Sequence, residues 1–92
     1  MILSFVCADT EALFVNGRSA RFANIKGTAT RKLQQLDSAA TLAFLGSPPG
    51  NCLEALTRDR AGQHSIRINK QWRVCFVWTD KGPSNVEIVD YH

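Results

Sequence analysis

Six consecutive residues, Gly46-Ser47-Pro48-Pro49-Gly50-Asn51, break this 92-residue chain near its middle and separate two different hydrophobic periods. Proline lacks the N–H that helix and sheet ladders both need, and glycine gives the backbone no preference, so no regular element crosses such a run. Before it the period is helical. From Arg21 to Leu36 the apolar residues Phe22, Ile25, Ala29, Leu33 and Leu36 recur every three or four positions, which predicts an amphipathic helix with Arg21, Lys26, Arg31 and Lys32 around its polar side. Asp37-Ser38 is expected to interrupt it, and Thr41 to Leu45 to add a further turn or two. Ahead of this helix, Ile2 to Val6 reads as a first strand. Asp9 or Thr10 reads as the N-cap of a short helix over Glu11 to Val15, which Asn16-Gly17 stops.

After the break the period becomes two. Ile66 and Ile68 alternate with Ser65 and Arg67, and Trp72, Val74, Phe76 and Trp78 alternate with Arg73, Cys75 and Val77. Asp80-Lys81-Gly82-Pro83 is a turn, and Val86 to His92 a last strand. The expected fold is α+β: an N-terminal strand and two to three helices packed on one face of an antiparallel meander. The register of the first hairpin follows from burial. A two-residue loop would pair Ile66 with Arg73, whereas the three-residue loop Asn69-Lys70-Gln71 pairs Ile68 with Trp72 and Ile66 with Val74 and keeps one face apolar.

That register sets Arg67 opposite Arg73, and facing like charges cost up to ~1 kcal/mol. Either an anion sits between the guanidinia, or a neighbouring carboxylate such as Glu87 neutralises them. Arg73→Ala is expected to relieve strain with Arg67 and leave stability unchanged or slightly raised, whereas a large drop would mark Arg73 as a structural ion-pair partner. The pair belongs to a wider concentration of charge. Arg58, Arg60, Arg67, Lys70 and Arg73, with Asp59 the sole acid among them, give the segment from Arg58 to Arg73 a charge of +4, and the rest of the chain carries −1. Such a segment is either a solvated strand edge or a surface for a polyanion such as RNA, whose phosphates suit the planar fork of arginine.

The chain ends Asp90-Tyr91-His92. Asp90 and His92 continue the parity of the apolar Val86 and Ile88, so this row runs past the core to a rim, while Tyr91 shares the parity of Glu87. A terminal histidine is most often a frayed end. Acid, phenol and imidazole in succession beside arginines are, however, what RNA cleavage through the 2′-hydroxyl requires: a base for the hydroxyl, an acid for the departing 5′-oxygen, and cations on the phosphorane. Glu54, just after the break, is a further ionisable residue within reach of the same rim, whereas His64 lies with Ile66 and Ile68 and packs the sheet.

Other classes are poorly supplied. The chain is long enough for a single domain over 1–92, and no apolar stretch reaches the ~18 residues of a membrane span. The apolar opening has no preceding basic residue and is interrupted by Asp9 and Glu11, unlike a signal peptide. Cys7, Cys52 and Cys75 form no CxxC pair and are odd in number, which points to a reducing cytoplasm rather than a disulfide frame or zinc site. With two histidines in the chain, a His-based metal site is also unexpected, and no cofactor is required.

Three stretches carry a resemblance. The run Leu56-Thr57-Arg58-Asp59-Arg60-Ala61-Gly62-Gln63-His64-Ser65-Ile66-Arg67-Ile68-Asn69, then Gln71-Trp72-Arg73-Val74-Cys75-Phe76, and the ending Asp90-Tyr91-His92 resemble the HigB toxin family of the RelE/ParE superfamily. The resemblance implies an endoribonuclease that cleaves mRNA in the ribosomal A site, against 16S rRNA. It also implies a HigA-type helix-turn-helix antitoxin, through which alone operator DNA would be contacted. Asp90, Tyr91 and His92 match the family's terminal active-site residues, and Arg73 the arginine near the scissile phosphate. The chain departs where some members carry a His and a Lys: here stand Glu54 and Thr57. Either Glu54 serves as base, or Arg58 and Arg60 supply the missing positive charge. The ParE branch, which inhibits DNA gyrase without nuclease chemistry, is the alternative, and retention of the terminal triplet argues against it. A plain RNA-binding module is a third reading, weakened by the shortage of aromatic residues on the basic face.

Overall fold

The computed structural model describes residues 1–90. Helices α1 (Ala8–Asn16) and α2 (Lys26–Ser38) precede four strands: β1 (Glu54–Ala55), β2 (His64–Arg67), β3 (Trp72–Thr79) and β4 (Gly82–Asp90). The strands form one antiparallel sheet in chain order, with the helices against one face, giving the expected α+β architecture. Short 3-10 turns at Ala23–Ile25, Ala43–Gly46 and Arg58–Arg60 complete it. No described helix is long and apolar enough to cross a membrane.

The hydrophobic period names the core correctly even where it misnames the element. Phe22, Ile25, Ala29, Leu33 and Leu36 are all buried, yet regular α-helix starts only at Lys26, after the 3-10 turn. A three-residue spacing puts Phe22 and Ile25 on one side of either helix type. Helix α2 ends at Ser38, within the expected Asp37-Ser38 interruption, and the Asp37 carboxylate also accepts the backbone N–H of Ile2 at 2.8 Å, clasping the N-terminal segment. That segment is shorter as a strand than expected. It makes a single parallel bridge, Phe5 to Val86, flanked by backbone bonds from Leu3 to Pro83 and between Ser4, Val6 and Val86.

Helix α1 starts a turn earlier than expected, after Cys7, and Gly17 ends it in the left-handed conformation (φ 77°), donating its N–H to Leu13. Thr10 is therefore not a cap. It is fully buried, and its hydroxyl accepts the N–H of Ile88 at 3.0 Å, closing the edge of β4 beyond the reach of the N-terminal segment. Thr10→Val should leave that buried N–H without an acceptor and cost about 1–3 kcal/mol. A thermal melt checks this, and an unchanged midpoint would show that the β4 edge needs no such partner.

Two local devices orient the site. The β2–β3 hairpin has the expected three-residue loop, with Ile66 opposite Val74 and Arg67 opposite Arg73; the Asn69 side chain accepts the N–H groups of Gln71 and Trp72, each at 2.8 Å. The β3–β4 loop is tighter than expected, since Thr79 already pairs with Gly82. Starting from that register, an uninterrupted ladder would turn Val86 to the face away from the helices. Instead Asn85 and Val86 together oppose Phe76, with Asn85 in the left-handed region (φ 52°) and its N–H held by the Ser4 hydroxyl at 2.9 Å. This bulge returns Val86 and Ile88 to the core, sets Glu87 opposite Cys75, and sets Asp90 opposite Trp72.

Candidate functional site

The face of the sheet away from the helices carries the candidate residues. Across it Glu54, Ser65, Cys75 and Glu87 lie in one row, and Arg67, Arg73 and Val89 in the next. Alternation predicts an open, solvated face, but Ser65 and Cys75 are fully buried. The β1–β2 connection explains this correction. It leaves β1, turns through Arg58–Arg60, and closes with Leu56 donating to the Gln63 carbonyl at 2.9 Å. Arg60 reaches from it to Glu87 at 2.8 Å and to the Gln63 side chain at 3.1 Å, tying the connection to β4. Beneath lies the Cys75 thiol. Burial pushes its pKa up, with Arg60 and Arg73 opposing and Glu87 reinforcing the shift, so it stays protonated at neutral pH.

Glu87 thus serves Arg60 rather than the facing arginines, and the two guanidinia resolve their repulsion by turning apart. Arg67 Nε donates to the Asn69 carbonyl at 3.1 Å, toward the hairpin loop. Arg73 turns the other way, donating from Nε to Ser65 Oγ at 2.7 Å and from Nη2 to the Cys52 carbonyl at 2.7 Å. Arg73 is thereby knitted into the structure, which argues for a loss of stability on its removal. Cys52 is exposed and adopts the left-handed conformation (φ 46°).

Glu54 is exposed on β1, two residues beyond the carbonyl that Arg73 holds. It lines a cleft of about 400 Å³ together with Ala55, Leu56, Thr57, Arg58 and Arg60. Arg58, at the cleft, is a second strained residue (φ 57°), in a conformation that costs a non-glycine residue about 1 kcal/mol or more. The structure therefore brings Glu54, Arg58, Arg60 and Arg73 to one region. Arg67 borders it, and Lys70 is exposed at the hairpin tip. Asp90 stands on the opposite parity from Arg73, at the exposed rim of β4, where Gln71 Nε2 donates to it at 3.0 Å. Tyr91 and His92 lie outside the described residues. Among the described residues no three His, Cys, Asp or Glu side chains are grouped to hold a metal ion. His64 stacks on Phe76, with ring centroids 6.3 Å apart, on the helix-facing side.

Two residues that the sequence does not single out shape this region. Ser65 reads as a solvent-facing strand residue; only the hairpin register makes it the diagonal neighbour of Arg73. Asn51 reads as part of the break. It is fully buried, and its side chain accepts from Lys32 Nζ and donates to Gln35 Oε1 at 3.1 Å and to the Leu45 carbonyl at 3.0 Å. Its own carbonyl accepts the N–H of Arg67 at 2.6 Å, so the break is anchored between α2 and β2 and delivers Cys52 to Arg73.

Comparison with known proteins is consistent across two sources. A family model described as the RelE-like toxin of type II toxin–antitoxin system HigB matches residues 14–92. Toxin HigB-1 of Vibrio cholerae is 44% identical over 57 residues, which cover 62% of this chain and 60% of that protein. An uncharacterized protein of Haemophilus influenzae is 32% identical over 63 residues, 68% of this chain and 62% of its own length. The aligned part thus spans about three fifths of each of these relatives.

Proposed function

The chain belongs to the HigB-like family of RelE-like toxins of type II toxin–antitoxin systems, and from that premise we propose that it is a cytoplasmic, ribosome-dependent mRNA endonuclease restrained by a HigA-type antitoxin. The observation that carries the proposal is the meeting of Glu54, Arg58 and Arg60 at one cleft, with Arg73 bonded to the Cys52 carbonyl two residues before Glu54. In the reaction the 2′-hydroxyl oxygen of the mRNA bonds to phosphorus while the bond to the 5′-oxygen of the next nucleotide breaks. This leaves a cyclic phosphate and a 5′-hydroxyl. Arg73 offsets charge on the phosphorane. His92, Tyr91 and Asp90 move the protons, and Glu54 supplies a carboxylate base from the cleft side. Arg58, Arg67 and Lys70 hold the RNA backbone, and Arg60 fixes the cleft wall through Glu87.

Holding the 2′-oxygen, phosphorus and leaving oxygen in line accounts for ~7 kcal/mol or more of such a barrier. This chain offers few groups for that task, so the ribosome supplies the alignment. The test compares one message, free and on ribosomes with an open A site. Cleavage should occur on the ribosome, fail on naked RNA, fall steeply with salt, and vanish in His92→Gln. Equal rates on both substrates would refute ribosome dependence. Intact mRNA together with gyrase inhibition would replace the nuclease reading by the ParE-like one.

A further inference from the structure

Among the described residues, Arg73 is bonded by two that the active-site reading does not use. Ser65 is fully buried in β2, and its hydroxyl takes Nε of Arg73 at 2.7 Å; its carbonyl lies 3.5 Å from Nη2. The Cys52 carbonyl takes Nη2 at 2.7 Å. Nε and Nη2 form one edge of the planar guanidinium, so two acceptors on that edge fix both the position and the plane of the group. The acceptors come from different elements, one a central strand and the other the segment leading from the break into β1. Cys52 is also in the left-handed region (φ 46°), a conformation a non-glycine residue keeps only where surrounding contacts compensate for it. The strained residue is the one whose carbonyl grips the arginine.

We propose that Ser65 and the Cys52 carbonyl form a cradle that pre-sets the Arg73 guanidinium for the scissile phosphate, with Ser65 a positioning residue that acts only through Arg73. This rests on the nuclease reading above. A cation already oriented where negative charge develops stabilises the transition state without reorganising during the reaction. A mobile arginine on the same strand would still attract RNA and would catalyse less. The long side chain and the repulsion from Arg67 give Arg73 alternative directions, and the cradle selects one of them. Ser65 thus belongs to the turnover step and not to RNA docking.

The full chain with Ser65→Ala tests this in single-turnover cleavage of ribosome-bound message. The maximal rate should fall by about tenfold to a hundredfold, while the ribosome concentration for half-maximal rate stays unchanged. In an Arg73→Ala background the same change should cause no further loss. The Arg73 Nε proton, observed by 15N NMR, should exchange slowly in the parent chain and quickly in Ser65→Ala. A parent rate retained by Ser65→Ala, equal losses in both backgrounds, or an unchanged Nε proton would overturn the cradle while leaving the nuclease reading intact. Were Ser65→Ala unfolded by circular dichroism, Arg73→Lys, which keeps the charge but not the two-bond edge, should show the same fall in maximal rate; full activity there would overturn the proposal. A parent chain that cuts no ribosome-bound message would overturn the nuclease reading itself, and the catalytic purpose of the cradle with it.

Discussion

Arg73→Ala is expected to lower cleavage of ribosome-bound mRNA by about 10²–10³-fold, the loss typical of removing one preorganised donor from a developing negative charge. It is also expected to lower the melting temperature. From strand pairing alone the opposite result follows, since removing one of two facing arginines relieves repulsion. The side chains decide otherwise. Arg67 and Arg73 point to different acceptors, so little repulsion remains to relieve, and alanine would leave the buried Ser65 hydroxyl and the Cys52 carbonyl without their donor. Losing such bonds costs about 1 kcal/mol, which for a domain of this size is roughly 4–8 °C. Calorimetry alongside the cleavage assay separates the two effects. A midpoint that rises would mean that repulsion dominates and that the Ser65 and Cys52 bonds contribute nothing to stability.

Asn51→Ala should produce the largest loss of stability of any single change considered. Its amide joins Lys32 and Gln35 of α2 to the Leu45 carbonyl, all from a fully buried position. Alanine removes the whole hub at once, and each buried group left unpaired costs about 1–3 kcal/mol. A net loss of about 3 kcal/mol corresponds to a fall of roughly 12–24 °C in melting temperature. Because the same residue's neighbour delivers the Cys52 carbonyl to Arg73, cleavage should fall even well below the new midpoint. Asn51→Asp, isosteric and able to accept from Lys32, keeps one contact and loses the two amide donations, so it should fall between parent and alanine. If Asn51→Ala melted within a degree or two of the parent, the break would be anchored by its backbone alone.

Much of the fold was legible because its signals are local. A helical period, a Pro-Pro-Gly break and a period of two each depend on residues a few positions apart, and burial then admits one register for the β2–β3 hairpin. The same arithmetic put Arg67 against Arg73 and placed Arg58 and Arg60 in one basic segment. It failed at Thr10, where the cap signal was diverted to hold Ile88. A short polar side chain serves whichever backbone group is nearest, and a distant strand was nearer than the helix's own first turn.

The sequence by itself determined the class of fold, the members of the core and the charge of the surface, because hydrophobic periodicity and composition are properties of the chain before it folds. Tertiary structure alone decided which way the functional side chains point. The bulge at Asn85-Val86 inverts the parity of β4 after its hairpin, and the return of the β1–β2 connection buries Ser65 and Cys75 on a face that alternation leaves open. Both depend on contacts between segments distant in sequence, Ser4 with Asn85 and Arg60 with Glu87. A period of two states that side chains alternate; it does not state where an extra residue shifts the count or what folds over the far side.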